Sequence, residues 1–171
     1  EESGARIVAT PDGGFWLTGD FAGPLPFGAT ELTPAGVNNG YLGRLGPDGG
    51  PVSARQLAAD VQSTIQGLAT NAAGEAVVSG NFNGSMPFGA QTLESPGGMF
   101  VARFSAAGDP LSARQFGEGE STLIDAFGLA LDPADNVIVA GGFRDGTIDF
   151  GDEDSPHSAG ATATFVAKLA P

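Results

Sequence analysis

Apolar residues along the chain fall into runs of four to six, rich in β-branched and aromatic side chains and bounded by Gly, Pro, Asn and Asp. That pattern predicts short β-strands separated by tight turns, and the abundance of glycine and proline nearly excludes long helices. The strands fall into sets that follow one order, A-B-C-D. Strand A is predicted over residues 7–10, 68–70 and 129–131, and strand B over 15–18, 76–79 and 137–140. Strand C is predicted over 41–45, 100–104 and 165–169, and strand D over 52–57 and 111–116. Pro11-Asp12-Gly13, Ala72-Ala73-Gly74 and Pro133-Ala134-Asp135 separate A from B. Their third residue suits the left-handed position of a bulged hairpin turn, and Pro suits the second position of a type I turn. Pro47-Asp48-Gly49 and Ala106-Ala107-Gly108 join C to D in the same way, so A-B and C-D are both expected to be hairpins.

The sets are copies of one unit. Phe21, Phe82 and Phe143 are spaced 61 residues apart, and Pro26-Phe27-Gly28, Pro87-Phe88-Gly89 and Asp149-Phe150-Gly151 follow them. Ser53-Ala54-Arg55-Gln56 recurs as Ser112-Ala113-Arg114-Gln115. A self-similar period of this length marks a repeat architecture. The units span 1–66, 67–127 and 128–171, forming one continuous domain in which the third unit stops after strand C, without its fourth strand. Strands such as Val137-Ile138-Val139-Ala140 and Phe100-Val101-Ala102 are apolar on both sides of the pleat and therefore need cover on two faces. Radially stacked four-stranded sheets supply that cover, so the expected fold is all-β, made of β-propeller blades. A β-trefoil, which also has three four-stranded copies, is the rival architecture.

Gly128-Leu129-Ala130-Leu131-Asp132, the segment from Asn136 to Phe143, and Phe165-Val166-Ala167-Lys168-Leu169 resemble the SBBP-type β-propeller repeats of large secreted or surface proteins of bacteria. The likeness covers nearly the whole chain, with the first copy degraded at Trp16 and Gly43-Arg44. It implies a propeller exported to the cell surface or beyond, and it carries over no catalytic residues.

Composition narrows the function. Among 171 residues there are 28 glycines and 12 prolines, no cysteine and one histidine, which removes disulfide frameworks, thiolate metal sites and cysteine nucleophiles. A net charge of −13 disfavours nucleic acid and anionic lipid as partners. No apolar run is long enough to span a bilayer, and the first residues lack the pattern of a secretion signal.

Three units are fewer than the four to eight blades of a closed propeller. The open edge at Phe165, Val166, Ala167, Lys168 and Leu169 is therefore expected to be completed by further blades or by other copies of the chain. The expected role is a non-enzymatic interaction or assembly module, with a protein or glycan as the alternative ligand. A filament subunit completed by strand exchange is a second reading, and a propeller-type hydrolase or lyase a remote third.

Candidate sites are sparse. Asp145, Asp149, Asp152, Glu153 and Asp154 crowd one loop of the third unit, and clustered carboxylates are the donors calcium takes, although no EF-hand spacing is present. Calcium is the one candidate cofactor. A solvated loop is the competing explanation, and turn geometry accounts for Asp132, Asp135 and Asn136. His157 lies between Ser155 and Ser158, but no nucleophile elbow surrounds them. Five of the seven basic residues recur at repeat positions: Arg44, Arg103 and Lys168 in strand C, Arg55 and Arg114 in strand D. They are expected to lay their stems on apolar surface and keep their charges wet. Trp16 is expected in the core, and Asn83-Gly84-Ser85 is expected to be a turn.

Overall fold

The computed structural model describes residues 2–117, 123–151, 157–158 and 160–171. Its elements are strands. In the first unit, β1 (Glu2–Ala9) and β2 (Phe15–Phe21) precede a small hairpin of β3 (Leu25–Phe27) and β4 (Thr30–Leu32), then β5 (Asn39–Leu45) and β6 (Pro51–Leu57). The second unit holds β7 (Gln62–Thr70), β8 (Ala76–Phe88), β9 (Gln91–Phe104) and β10 (Pro110–Phe116). The third holds β11 (Leu123–Leu131), β12 (Val137–Arg144), the short pair β13 (Gly146–Thr147) and β14 (His157–Ser158), and β15 (Ala163–Leu169). Besides the two-stranded sheets β3-β4 and β13-β14, three larger antiparallel sheets result, ordered β1-β2-β5-β6, β7-β8-β9-β10 and β11-β12-β15, each following the chain as a meander. They are called sheets 1, 2 and 3 below.

The A-B hairpins turn as their residue types predict. Gly13, Gly74 and Asp135 take φ of 84°, 79° and 62°. The same bond closes each turn: Gly13 N–H to Thr10 O (3.0 Å), Gly74 N–H to Asn71 O (3.0 Å) and Asp135 N–H to Asp132 O (2.9 Å). Only glycine occupies this region without steric cost, and Asp is among the few other residues that tolerate it.

The two-sided apolar character of the middle unit has a direct packing consequence. One face of sheet 2 (Leu68, Ala76, Val78, Phe100, Ala102, Phe104) packs with Trp16, Leu42 and Leu57 of sheet 1. Its other face (Val77, Met99, Val101, Phe116) packs with Val137, Val139, Phe165 and Leu169 of sheet 3. Sheet 2 is thus sandwiched between its neighbours, which are each covered by it on one side. Its first strand β7 lies against β1, β2 and β5 on one side and against β11 on the other. The ladders stay separate apart from an isolated bridge between Asn38 and Gln62, so the barrel a trefoil needs does not form among the described residues. Nor do the described strands close into a ring.

Three details depart from the sequence reading. First, β7 and β11 begin at Gln62 and Leu123, before the expected starts at 68 and 129, and run across the expected unit boundaries. The early residues of β7 are polar because they serve backbone groups of the neighbouring sheets: Ser63 accepts from Gly40 N–H (3.0 Å), and Gln66 Oε1 accepts from Ala126 N–H (2.9 Å). Second, Asn83-Gly84-Ser85 lies inside β8. The β8-β9 ladder has an irregularity between Phe82 and Gly84 and then continues to Phe88 opposite Gln91. Third, Arg44 is buried rather than solvated. Its guanidinium grips Asp12 through both carboxylate oxygens (2.7 and 2.6 Å), donates to Phe15 O (3.2 Å) and to Leu45 O, and lies 5.2 Å from the Trp16 ring centroid. Arg103 is also largely buried, against Glu75 (3.2 Å), whereas Lys168 and Arg55 keep exposed charges.

Candidate assembly surfaces

Register makes the three sheets comparable position by position. Trp16, Val77 and Ile138 occupy one strand-B position, and Leu42, Val101 and Val166 one strand-C position facing the same way. This rear face is covered in sheets 1 and 2: Trp16, Thr18 and Leu42, and likewise Val77, Ser79 and Val101, are buried. In sheet 3 the same face is open, with Val166 76 % exposed and Ile138 and Ala140 half-buried. Phe127, 61 % exposed, stands beside Gly142 on this side.

The front face gives the complementary result. Leu68, Ala76, Val78 and Phe104 of sheet 2, and Val137, Val139 and Leu169 of sheet 3, are buried against a preceding neighbour or its hairpins. Their counterparts in sheet 1 are Phe15, Leu17 and Leu45, all half-buried, and Ile7, 63 % exposed. The β3-β4 hairpin covers only part of this surface, with the Phe27 ring set against Gly43. Sheets 3 and 1 therefore leave open a rear and a front face that correspond in position to the faces packed together at the two internal junctions.

Hydrogen bonds cross both internal junctions. Between sheets 1 and 2, Trp16 Nε1–H donates to Gly74 O (2.9 Å), Ile65 N–H donates to Asp20 Oδ1 (2.9 Å), and Arg55 donates to Gly108 O (3.0 Å) and Asp109 (2.7 Å). Between sheets 2 and 3, Arg103 donates to Asp135 O (2.9 Å) and Asn81 donates to Ile124 O, alongside the Gln66–Ala126 bond. Side chains of one sheet thus reach turns and inner-strand backbone of the next, which fixes the sheets relative to one another as well as burying apolar area.

Three carboxylates at these junctions and turns are shifted. The Thr10 hydroxyl above all, then Gly14 N–H and Arg44, lower Asp12 to about 2. Lys168 and Asn136 hold Asp132 lower still. Both contributions to stability are present above the ordinary carboxylate range and are lost as pH falls below it. Asp20 moves the other way: burial raises it, against the opposing bond from Ile65 N–H. Its charge is therefore disfavoured in the folded chain, a contribution that is stabilising at low pH and is lost as pH rises through the folded-state value. Asp20→Asn keeps an acceptor for Ile65 and removes the charge, and the matching position of sheet 2 already carries an uncharged residue, Asn81. The substitution is expected to raise Tm by a few degrees at pH 7 and to leave it unchanged near pH 3, in calorimetry at both pH values.

The acidic loop places few of its candidates. Asp149 Oδ1 accepts from Gly151 N–H (2.7 Å), and Asp145 sits at φ 54°, while Asp152, Glu153 and Asp154 lie outside the described residues. Among the described residues, no three His, Asp or Glu side chains converge as metal ligands. His157 Nδ1 pairs with the Thr147 hydroxyl (3.0 Å), and the Ser158 hydroxyl donates to Ala161 O, so these two neighbours are not joined as base and nucleophile. Ser155 lies outside the described residues. Trp16 is in the core as expected. Along β15, Phe165, Ala167 and Leu169 face inward, Val166 and Lys168 face outward, and only β12 pairs with the strand among the described residues. The open faces of sheets 1 and 3 were not visible as such in the sequence; position-by-position comparison of the repeats was the signal that could have located them.

No protein-family model matches the chain, and no curated protein matches it. No helix among the described residues is long and apolar enough to cross a membrane.

Proposed function

We propose that the chain is a β-propeller-type module that works by assembly and presents no catalytic centre, acting outside the cell or at its surface as the resemblance of its repeats suggests. One observation carries this reading: the rear face of sheet 3 and the front face of sheet 1 match the two sides of the interface buried between sheets 1 and 2 and again between sheets 2 and 3. Because the two faces differ, the contact they favour is head-to-tail, which yields a ring if the rotation closes and a filament if it does not. The partner they fit is a second copy of this chain or further sheets of the same kind. The net charge of −13 opposes association, so assembly is expected to strengthen as salt screens it.

Single-face substitutions test the reading. Ile7→Asp places a charge on the front face and Val166→Asp on the rear, both at exposed positions that leave the internal cores intact. The unaltered chain is expected to rise in mass with concentration in multiples of 17.0 kDa by light scattering. Each variant alone should remain a monomer. An equimolar mixture should stop at a dimer, since one variant offers a sound rear face and the other a sound front. A chain that stays at a single-copy mass at every concentration and salt would overturn the proposal.

A further inference from the structure

Strands β6 and β10 are two versions of one segment, Pro-Val-Ser-Ala-Arg-Gln-Leu and Pro-Leu-Ser-Ala-Arg-Gln-Phe. They seat on their neighbours in one register. Ala54, Arg55 and Gln56 lie opposite Gly43, Leu42 and Tyr41; Ala113, Arg114 and Gln115 lie opposite Ala102, Val101 and Phe100. The third strand of this kind of neighbour is β15, whose Phe165-Val166-Ala167-Lys168-Leu169 repeats Phe100-Val101-Ala102-Arg103-Phe104 of β9. β15 is held by β12 along one edge, and its other edge carries no strand among the described residues. Beside that edge a cleft opens between sheets 2 and 3, lined among others by Val77, Val101, Arg103, Arg114 and Leu169.

The charge at this cleft selects between the two versions. In sheet 1, Arg55 reaches across to the turn before β10, where Gly108 O and the Asp109 carboxylate receive it. Arg114 is the same residue of sheet 2. It is exposed at the cleft, its guanidinium 5.4 Å from the Phe116 ring centroid, with no carboxylate partner among the described residues. We propose that the free edge of β15, together with Arg114, binds an extended polypeptide segment with the pattern of β10, Gly-Asp-Pro-apolar-Ser-Ala-Arg-Gln-apolar. Main-chain pairing with β15 supplies the ladder, and the segment's Asp meets Arg114 as Asp109 meets Arg55. The β6 version has Gly50 where β10 has Asp109, and it brings no carboxylate to that place.

This inference rests on the stacked-repeat reading above, and its test is kept apart from self-association by using the Ile7→Asp chain, whose front face is closed to stacking. A fluorescent peptide with the sequence of residues 106–117 is titrated with that chain and followed by anisotropy. Saturable binding is expected, at least tenfold tighter than for a peptide of residues 47–58 and absent for a scrambled peptide. Arg114→Glu should weaken it at least tenfold, and a peptide carrying Lys in place of its Asp should recover binding to that variant. Absence of saturable binding, equal binding of the scrambled peptide, or indifference to Arg114→Glu would overturn the inference. Head-to-tail assembly could fail while the peptide still binds, and the reverse, so each proposal falls by its own measurement.

Discussion

Trp16→Ala is expected to destabilise the folded chain by about 3–5 kcal/mol. The indole is 1 % exposed and fills the junction between sheets 1 and 2, under the Arg44 guanidinium, so its removal leaves a cavity in a close-packed seam. The loss also strands Gly74 O, which accepts from Nε1–H at 2.9 Å, at a cost of about 1–3 kcal/mol within that total. For a chain of this length such a change lowers Tm by roughly 10 °C, read by circular dichroism because the only tryptophan is gone. Trp16→Phe narrows the cause, since it keeps a six-membered ring in the seam while removing the donor and the smaller pyrrole part of the indole. Its loss should be about 1–3 kcal/mol. If both variants melt with the native chain, the junction between sheets 1 and 2 is not a stabilising contact. Hydrogen exchange adds a directional expectation: amides of β1, β2 and β5 should lose protection in Trp16→Ala while those of β11 and β12 keep theirs, because the second junction is untouched.

Gly80→Ala is expected to cost about 1–3 kcal/mol or more, with no change in charge or polarity. A β-carbon at Gly80 would collide with the backbone carbonyl of Thr64, in the strand that faces both neighbouring sheets. Gly141 is placed in the same way against the carbonyl of Asp125. At Gly19, the matching position of sheet 1, the nearest atom is a ring carbon of half-buried Tyr41 at 2.9 Å. A side chain can swing aside where a ladder carbonyl cannot, so Gly19→Ala should be markedly milder than Gly80→Ala in urea unfolding. Equal losses at both positions would show that backbone crowding is not what excludes a side chain there.

The hairpins and the strand order were legible in the sequence because local chemistry decides them. Pro11-Asp12-Gly13 and its two counterparts restrict the chain to one kind of turn, and the three φ values at 13, 74 and 135 agree with it. Two-sided burial of the middle unit was legible for a similar reason, since Phe100-Val101-Ala102 leaves no polar face to turn outward. The early half of β7 was not legible. Ser63 and Gln66 break the apolar pattern, and they do so because they bond to backbone of another sheet, a partner no local window contains. Arg44 was misread on the same account: nothing within its strand announces that Asp12, Phe15 O and Leu45 O will surround its guanidinium. The candidate surfaces were half legible. The edge residues of β15 were identifiable from the repeat pattern, whereas the half-exposed front of sheet 1 emerges only when Phe15, Leu17 and Ile7 are set beside the buried residues that match them.

The bonds across the two junctions sit at comparable places and yet are made by different residues. An indole reaches Gly74 O at the first, and a guanidinium reaches Asp135 O at the second. Asp20 holds Ile65 N–H, whereas Ala126 N–H is held by Gln66. Tandem copies that remained identical could dock in any permutation and trade parts with their neighbours during folding, the characteristic failure of repetitive chains. Individual seams reduce that degeneracy: a shuffled order of units would part the indole of Trp16 from Gly74 O and the guanidinium of Arg103 from Asp135 O, acceptors that the native succession brings to them.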